Sequence, residues 1–133
     1  MSNVNLYTAL TIQATDIVAG TTPYNLALNG IVLPVTVWSS SDFFQVGTGT
    51  TVIPLPAAVV YYAFVRNLST NPVSLTVTFP TQSPTTMILN PVTSGFGAIF
   101  LYANTIETAP AGISAMSATT TPAASPIQYF VAA

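Results

Sequence analysis

Four side chains in this sequence can carry a charge through ordinary pH: Arg66, Asp16, Asp42 and Glu107. There is no Lys, no His and no Cys. A zinc site of Cys and His ligands therefore cannot be assembled. Ser-His-Asp and Cys-His catalysis, lysine Schiff bases and thiol redox chemistry lack their reacting groups as well. Three carboxylates could in principle supply an acid/base pair of the glycosidase or aspartic-protease kind. However, Asp16-Ile17-Val18 is not the Asp-Thr-Gly turn of an aspartic protease. Asp42, which follows Ser39-Ser40-Ser41, reads as a turn or cap residue, and Glu107 falls in a loop between strands. Asp42 with nearby serine and backbone oxygens is the best hard-cation candidate, but no Asp-rich loop spacing accompanies it. Gly47-Thr48-Gly49 has the glycines of a phosphate loop without its lysine, and reads as a flexible hairpin loop. The expectation is no catalytic residue, no metal and no cofactor.

The lone cation also argues against nucleic acid, since phosphate neutralisation needs several basic side chains. Arg66 has two readings: an internal partner for one of the carboxylates, stacked on an aromatic ring, or an anchor in a protein interface. The rest of the chain is neutral. Of 133 residues, 50% are hydrophobic and 3% charged, against roughly 25% charged in an ordinary domain. Thr, Ser and Asn must then solvate the surface, or a partner must cover it. The longest apolar run, Val52 to Val65, is interrupted by Pro54 and Pro56 and is shorter than the ~18–20 residues a spanning helix needs. No membrane association is expected. The start has neither a basic and apolar leader nor a Gly at position 2, and Cys is absent. This leads to the expectation of folding in the cytoplasm of the producing cell.

The elements that must position these residues are strands. Val73, Leu75, Val77 and Phe79 alternate with Ser74, Thr76 and Thr78, and Tyr24, Leu26 and Leu28 alternate with Asn25, Ala27 and Asn29. Asn29-Gly30 signals a tight hairpin turn, with Ile31 to Trp38 as the returning strand. Val59 to Asn67 is apolar on both faces and reads as a central, largely buried strand. Further strands are expected at Leu6–Gln13, Thr86–Leu89, Gly97–Ala103, Ile113–Ala118 and Ile127–Val131. No stretch offers helical periodicity with good helix formers, and 11 prolines oppose one. The spacing predicts an all-β single-domain β-sandwich over residues 1–133, with eight to ten short strands and jelly-roll or immunoglobulin-like topology. Residues 119–126, Thr-Thr-Thr-Pro-Ala-Ala-Ser-Pro, read either as a flexible arm lending the last strand to a neighbour or as an ordinary loop. Trp38, Tyr61, Tyr62 and Phe43-Phe44 read as core, or alternatively as a sugar-stacking platform. Asn67-Leu68-Ser69 is a formal glycosylation sequon, read as a chance match.

Several segments together carry a likeness. Phe64-Val65-Arg66-Asn67-Leu68-Ser69 is followed by Asn71-Pro72 and an alternating Thr/Val run. Next come Leu89-Asn90-Pro91 and a Gly-led apolar strand, Gly97 to Tyr102. Gly112-Ile113-Ser114-Ala115-Met116-Ser117-Ala118 and Ile127-Gln128-Tyr129-Phe130-Val131 close the chain. This order resembles the small all-β structural proteins of tailed bacteriophage virions, over roughly the second half of the chain. The resemblance implies a non-enzymatic decoration, cement or minor capsid subunit of a virion, self-associating (a trimer by analogy with threefold shell positions) and contacting other virion proteins. Arg66, Tyr129 and Phe130 are the contact residues expected on this reading. A tail-tube or baseplate subunit would share the physics. A carbohydrate- or receptor-binding β-sandwich, as in a fibre tip or adhesin, is the rival.

Overall fold

The computed structural model describes residues 4–16, 20–80, 82–94, 97–102 and 112–133. They fall into two compact units, Met1–Thr36 and Val37–Ala133. The first unit is a two-stranded antiparallel sheet of β1 (Val4–Asp16) and β2 (Thr21–Val35). Gly20 precedes β2 at φ 67°, a left-handed conformation that costs a glycine little. The expected turn at Asn29-Gly30 is not a turn. Thr8 pairs with Ile31 and Leu10 with Leu28, so Asn29 and Gly30 together oppose Ala9 in a β-bulge. The same permissive backbone that suits a hairpin turn also accommodates an extra residue in a strand, and here the second use prevails.

The second unit holds eight strands in two four-stranded antiparallel sheets, the expected all-β sandwich. They are β3 (Trp38–Val46), β4 (Thr51–Val52), β5 (Tyr62–Asn67), β6 (Val73–Thr78), β7 (Thr85–Leu89), β8 (Ala98–Tyr102), β9 (Ala115–Thr120) and β10 (Ser125–Ala132). One sheet runs β3-β10-β5-β8 and the other β4-β9-β6-β7. First strand pairs with last, second with seventh, third with sixth and fourth with fifth, so the chain is one long hairpin rolled into two layers. That is a jelly roll, not an immunoglobulin-like order. The sandwich accounts for residues 37–133, and the first 36 residues form the other unit.

Alternation builds the core. On β6, Val73, Leu75 and Val77 are buried while Ser74, Thr76 and Thr78 are half-buried. Across the layers stand Ala63 and Val65 of β5 with Ile127, Tyr129 and Val131 of β10, joined by Val46, Met116 and Ala118 in one cluster. Each such aliphatic side chain contributes about 1.5–3 kcal/mol by leaving water. β5 is central, between β10 and β8, as its sequence suggested. It is shorter than expected, and its outer face is sealed at one end only: Tyr62 is buried, whereas Phe64 and Arg66 are half-buried. β3 was not anticipated, because Ser39-Ser40-Ser41-Asp42 has the composition of a turn. An edge strand paired on one side tolerates that composition, and a bulge where Asp42 and Phe43 oppose Gln128 bends it.

Of residues 119–126, the four from Thr121 to Ala124 connect β9 in one sheet to β10 in the other, through a cis Thr121–Pro122 bond, and the rest belong to those strands. β10 pairs within its own chain on both sides, with β3 and β5. The Gly47–Thr50 segment likewise crosses between sheets, from β3 to β4, with the Gly47 N–H donating to Thr51 Oγ1 at 2.9 Å. It is not a hairpin loop.

The loops at one end of the sandwich converge on Asn67, which is fully buried. Its Nδ2 donates to the carbonyls of Asn71 (2.8 Å), Leu89 (3.1 Å) and Asn90 (3.1 Å). Its Oδ1 accepts from the N–H and the hydroxyl of Ser69, both at 2.9 Å. The nitrogen a glycan would occupy in the Asn67-Leu68-Ser69 sequon is thus committed to three backbone carbonyls. Gly97 is needed beside this hub, since a Cβ there would collide with the Asn90 backbone. Asn67→Leu is expected to cost at least about 3 kcal/mol, from three carbonyls and a serine left without their partner. Asn67→Asp should be worse at pH 7, setting a carboxylate against those carbonyls, and should recover partly as acid protonates it. Urea unfolding midpoints of both variants at pH 7 and pH 4 check this, and a loss below about 1 kcal/mol would contradict the hub.

Candidate interaction surface

The two outer faces of the sandwich differ in chemistry. On the β4-β9-β6-β7 sheet, the cross-strand register pairs Ser74 with Thr119, Thr76 with Ser117 and Thr76 with Thr86. The Thr76 and Thr86 hydroxyls lie 2.9 Å apart. Short hydroxyl side chains cover this face, and Val52 and Ile88 stand exposed among them at 70% and 67%. Hydroxyls hydrate a surface without charge.

The outer face of the β3-β10-β5-β8 sheet is aromatic. The register lines up Ser40, Phe130 and Phe64 in one row, the two phenylalanines half-buried, and Trp38, Ala132 and Tyr62 in the next, where Ala132 and Tyr62 are buried. Tyr62 and Phe130 meet edge to face, with ring centroids 5.8 Å apart, a favoured arrangement for aromatic quadrupoles. Trp38 is 47% exposed at the rim and Phe43 is 64% exposed in the bulge. A third row carries Asp42, Gln128 and Arg66, with the Gln128 amide donating to Asp42 Oδ1 at 3.2 Å. Both charged side chains of the described part of the sandwich stand in this row.

Of the three expected contact residues, Phe130 and Arg66 lie on this outer face, half-buried. Tyr129 does not. It is 4% exposed, packed edge to face on Phe44 at 5.4 Å, with its hydroxyl 3.2 Å from Ser39 Oγ. Adjacent strand residues point to opposite faces, and the core face falls to Tyr129. The expected aromatic platform divides in the same way: Trp38 and Phe43 are open to solvent while Phe44 packs on the core. Asp42 is exposed and has no second carboxylate beside it in the described sandwich, and Glu107 lies outside the described residues. Among the described residues no three His, Cys, Asp or Glu gather as metal ligands, and no helix is long and apolar enough to cross a membrane. No family model, no curated protein and no solved structure matches the chain.

Burial pushes the Tyr62 phenol up to about 12. Its phenolate is disfavoured in the folded state, so stability is intact below the ordinary tyrosine value of ~10 and falls as pH rises towards 12. The loss should be of order 2 kcal/mol, read as a fall in the urea midpoint between pH 9.5 and 12, and Tyr62→Phe should remove most of it. On the same face Phe64→Ala should cost about 1–2 kcal/mol, less than the ~2–5 kcal/mol of Leu75→Ala in the sealed core. Equal losses would mean that the outer face is as well packed as the core.

Proposed function

We propose that this chain is a non-enzymatic structural subunit of a virion, of the decoration or cement kind, that holds neighbouring subunits together through uncharged contacts. The observation that carries this reading is the outer side of the β3-β10-β5-β8 sheet, where Trp38 and Phe43 stand exposed beside half-buried Phe64 and Phe130, set against the hydroxyl face opposite. Soluble domains rarely display large apolar area without a partner. The jelly roll adds support by analogy, being an architecture of viral capsid domains and also of lectins. Other virion proteins and further copies of this chain are the partners, and the virion is its location. A carbohydrate-binding role is the second reading, favoured by Trp38 and Phe43 exposed beside Ser40 and Asp42 on one edge strand.

Such contacts rest on apolar burial and neutral hydrogen bonds, so they lack the concentrated field that salt would screen. Self-association of the full chain, measured by sedimentation in 50 to 500 mM sodium chloride, should change less than tenfold and should strengthen in sulfate. A weakening of tenfold or more would refute the neutral-contact mechanism, and a well-behaved monomer at micromolar concentration would refute assembly itself. Saturable binding on a glycan array that Trp38→Ala abolishes would transfer the assignment to the second reading.

A further inference from the structure

The four edge strands of the sandwich offer very different lengths of unpaired backbone. β4 has two residues, and β7 has five, set between Pro84 and Asn90-Pro91. β8 also has five. β3 has nine, contains no proline or lysine, and pairs with β10 on one side only. An edge of this kind is a template for another strand unless charge, proline or a bulge blunts it. Both the one charge of β3 and its bulge lie at Asp42, so the stretch before them is unprotected. Trp38, Ser40, Asp42, Phe43 and Gln45 are exposed.

The ladder shows which backbone groups are on offer. Val37 and Ala133 exchange both N–H to carbonyl bonds, at 3.2 and 3.0 Å. Bonded and non-bonded pairs alternate along an antiparallel ladder. Ser39 and Ser41 therefore turn their groups towards β10, while Trp38 and Ser40 turn theirs to the open side. Beyond the bulge the same count puts Gln45 on the open side, and the residue opposite it is Pro126, which has no N–H to give. The bulge thus falls in a wide interval between ladder bonds. Within it the Phe43 N–H donates to Ser41 Oγ at 3.3 Å, and Asp42 keeps the open-side orientation.

We propose that Trp38–Asp42 is an edge-to-edge contact with the same segment of a second copy of the chain, antiparallel about a two-fold axis through Ser40. The inference gives the self-association of the proposed function a location, and it rests on that part of the reading. The choice of a second copy follows from the segment being complementary to itself. Its open-side residues are symmetric about Ser40, so Ser40 meets its own counterpart and Trp38 meets Asp42 of the other copy, with about six backbone hydrogen bonds in all. The same register sets the Trp38 indole N–H, a donor only, beside a carboxylate, an acceptor only. Ser39 lies opposite Ser41, small against small. The two Asp42 side chains stand four residue rises apart, ~13 Å, beyond the ~10 Å screening length of 0.1 M salt. Past Asp42 the bulge bends the strand and ends the pairing. Each chain contributes one such edge, so the contact closes at two copies.

The chain has no cysteine, so a single introduced thiol in the full-length protein reports the contact. In Ser40→Cys the two thiols face each other across the axis, with Cα atoms ~5.5 Å apart, within the span a disulfide bridges. With copper–phenanthroline as oxidant, Ser40→Cys should form a covalent dimer at least tenfold faster than Gln45→Cys, which is exposed on the same strand but beyond the bulge. Ser40→Pro removes an open-side N–H, a change that an edge strand tolerates. It should raise the dimer Kd, measured by sedimentation, at least tenfold while far-UV circular dichroism stays that of the parent chain. Thr86→Lys, on the other sheet, should change the Kd less than threefold. Equal cross-linking of the two cysteine variants, or association as tight with Ser40→Pro as without it, would overturn the edge contact and leave assembly to another surface. A mass of three chains would overturn the two-fold. A monomer that does not cross-link would overturn both this inference and the assembly reading.

Discussion

The Asn67 carboxamide is the interaction on which the jelly roll's architecture turns. Three loops must end together at one pole: β5 to β6, β7 to β8 and β9 to β10. The chain has almost no charged side chains with which to close such a pole. One uncharged side chain instead presents both donor and acceptor to five backbone and hydroxyl groups. Thr120 and Ser125 extend the network, their hydroxyls 3.0 Å apart, with Asn71 Nδ2 donating to Ser125 Oγ at 3.2 Å. The buried polar residues of the described part, Asn67, Ser69, Thr120 and Ser125, all belong to it. A fully satisfied network of this kind specifies one loop arrangement, because any other leaves a buried group unpaired.

The same scarcity of charge explains the division of the surface. A sheet face can be hydrated by hydroxyls or can carry large apolar side chains, and the two sheets differ in this respect. Thr and Ser suit the first, since they favour strands or tolerate them while offering a hydroxyl to water. Aromatic side chains suit the second, since they bury a large area with few rotatable bonds. The positions of Phe64, Tyr62 and Phe130 on one outer face therefore follow from the alternation that puts Val65, Ala63 and Tyr129 in the core.

Alternation was legible in β6, with Val73, Leu75 and Val77 inward, whereas for β10 the strand was legible and its inward face was not. Of the four edge strands β7 and β8 were legible, but β3 and the two-residue β4 were not, because solvent on one side permits Ser39-Ser40-Ser41 in β3. Nor was the depth of β5, whose apolar residues on both faces are compatible with full burial or with an aromatic surface. Tyr129 and Phe130 are neighbours of similar type, and only the register of β10 against β3 and β5 decides which one a partner can reach. The sheet order needed the pairings, since both sandwich topologies share strand lengths and turn chemistry.

Asn29-Gly30 shows how one signal bears on two structures. Read locally, it is the best short turn in the chain. In the fold it lies inside a 15-residue strand, where the permissive backbone accommodates a bulge. A turn there would have paired Leu28 with Ile31 within a short hairpin. The bulge pairs Leu28 with Leu10 and Ile31 with Thr8, so that Leu26, Leu28, Ile31 and Leu33 fall by register in one stripe of the sheet. A one-residue change of register would send half of that stripe to the other face.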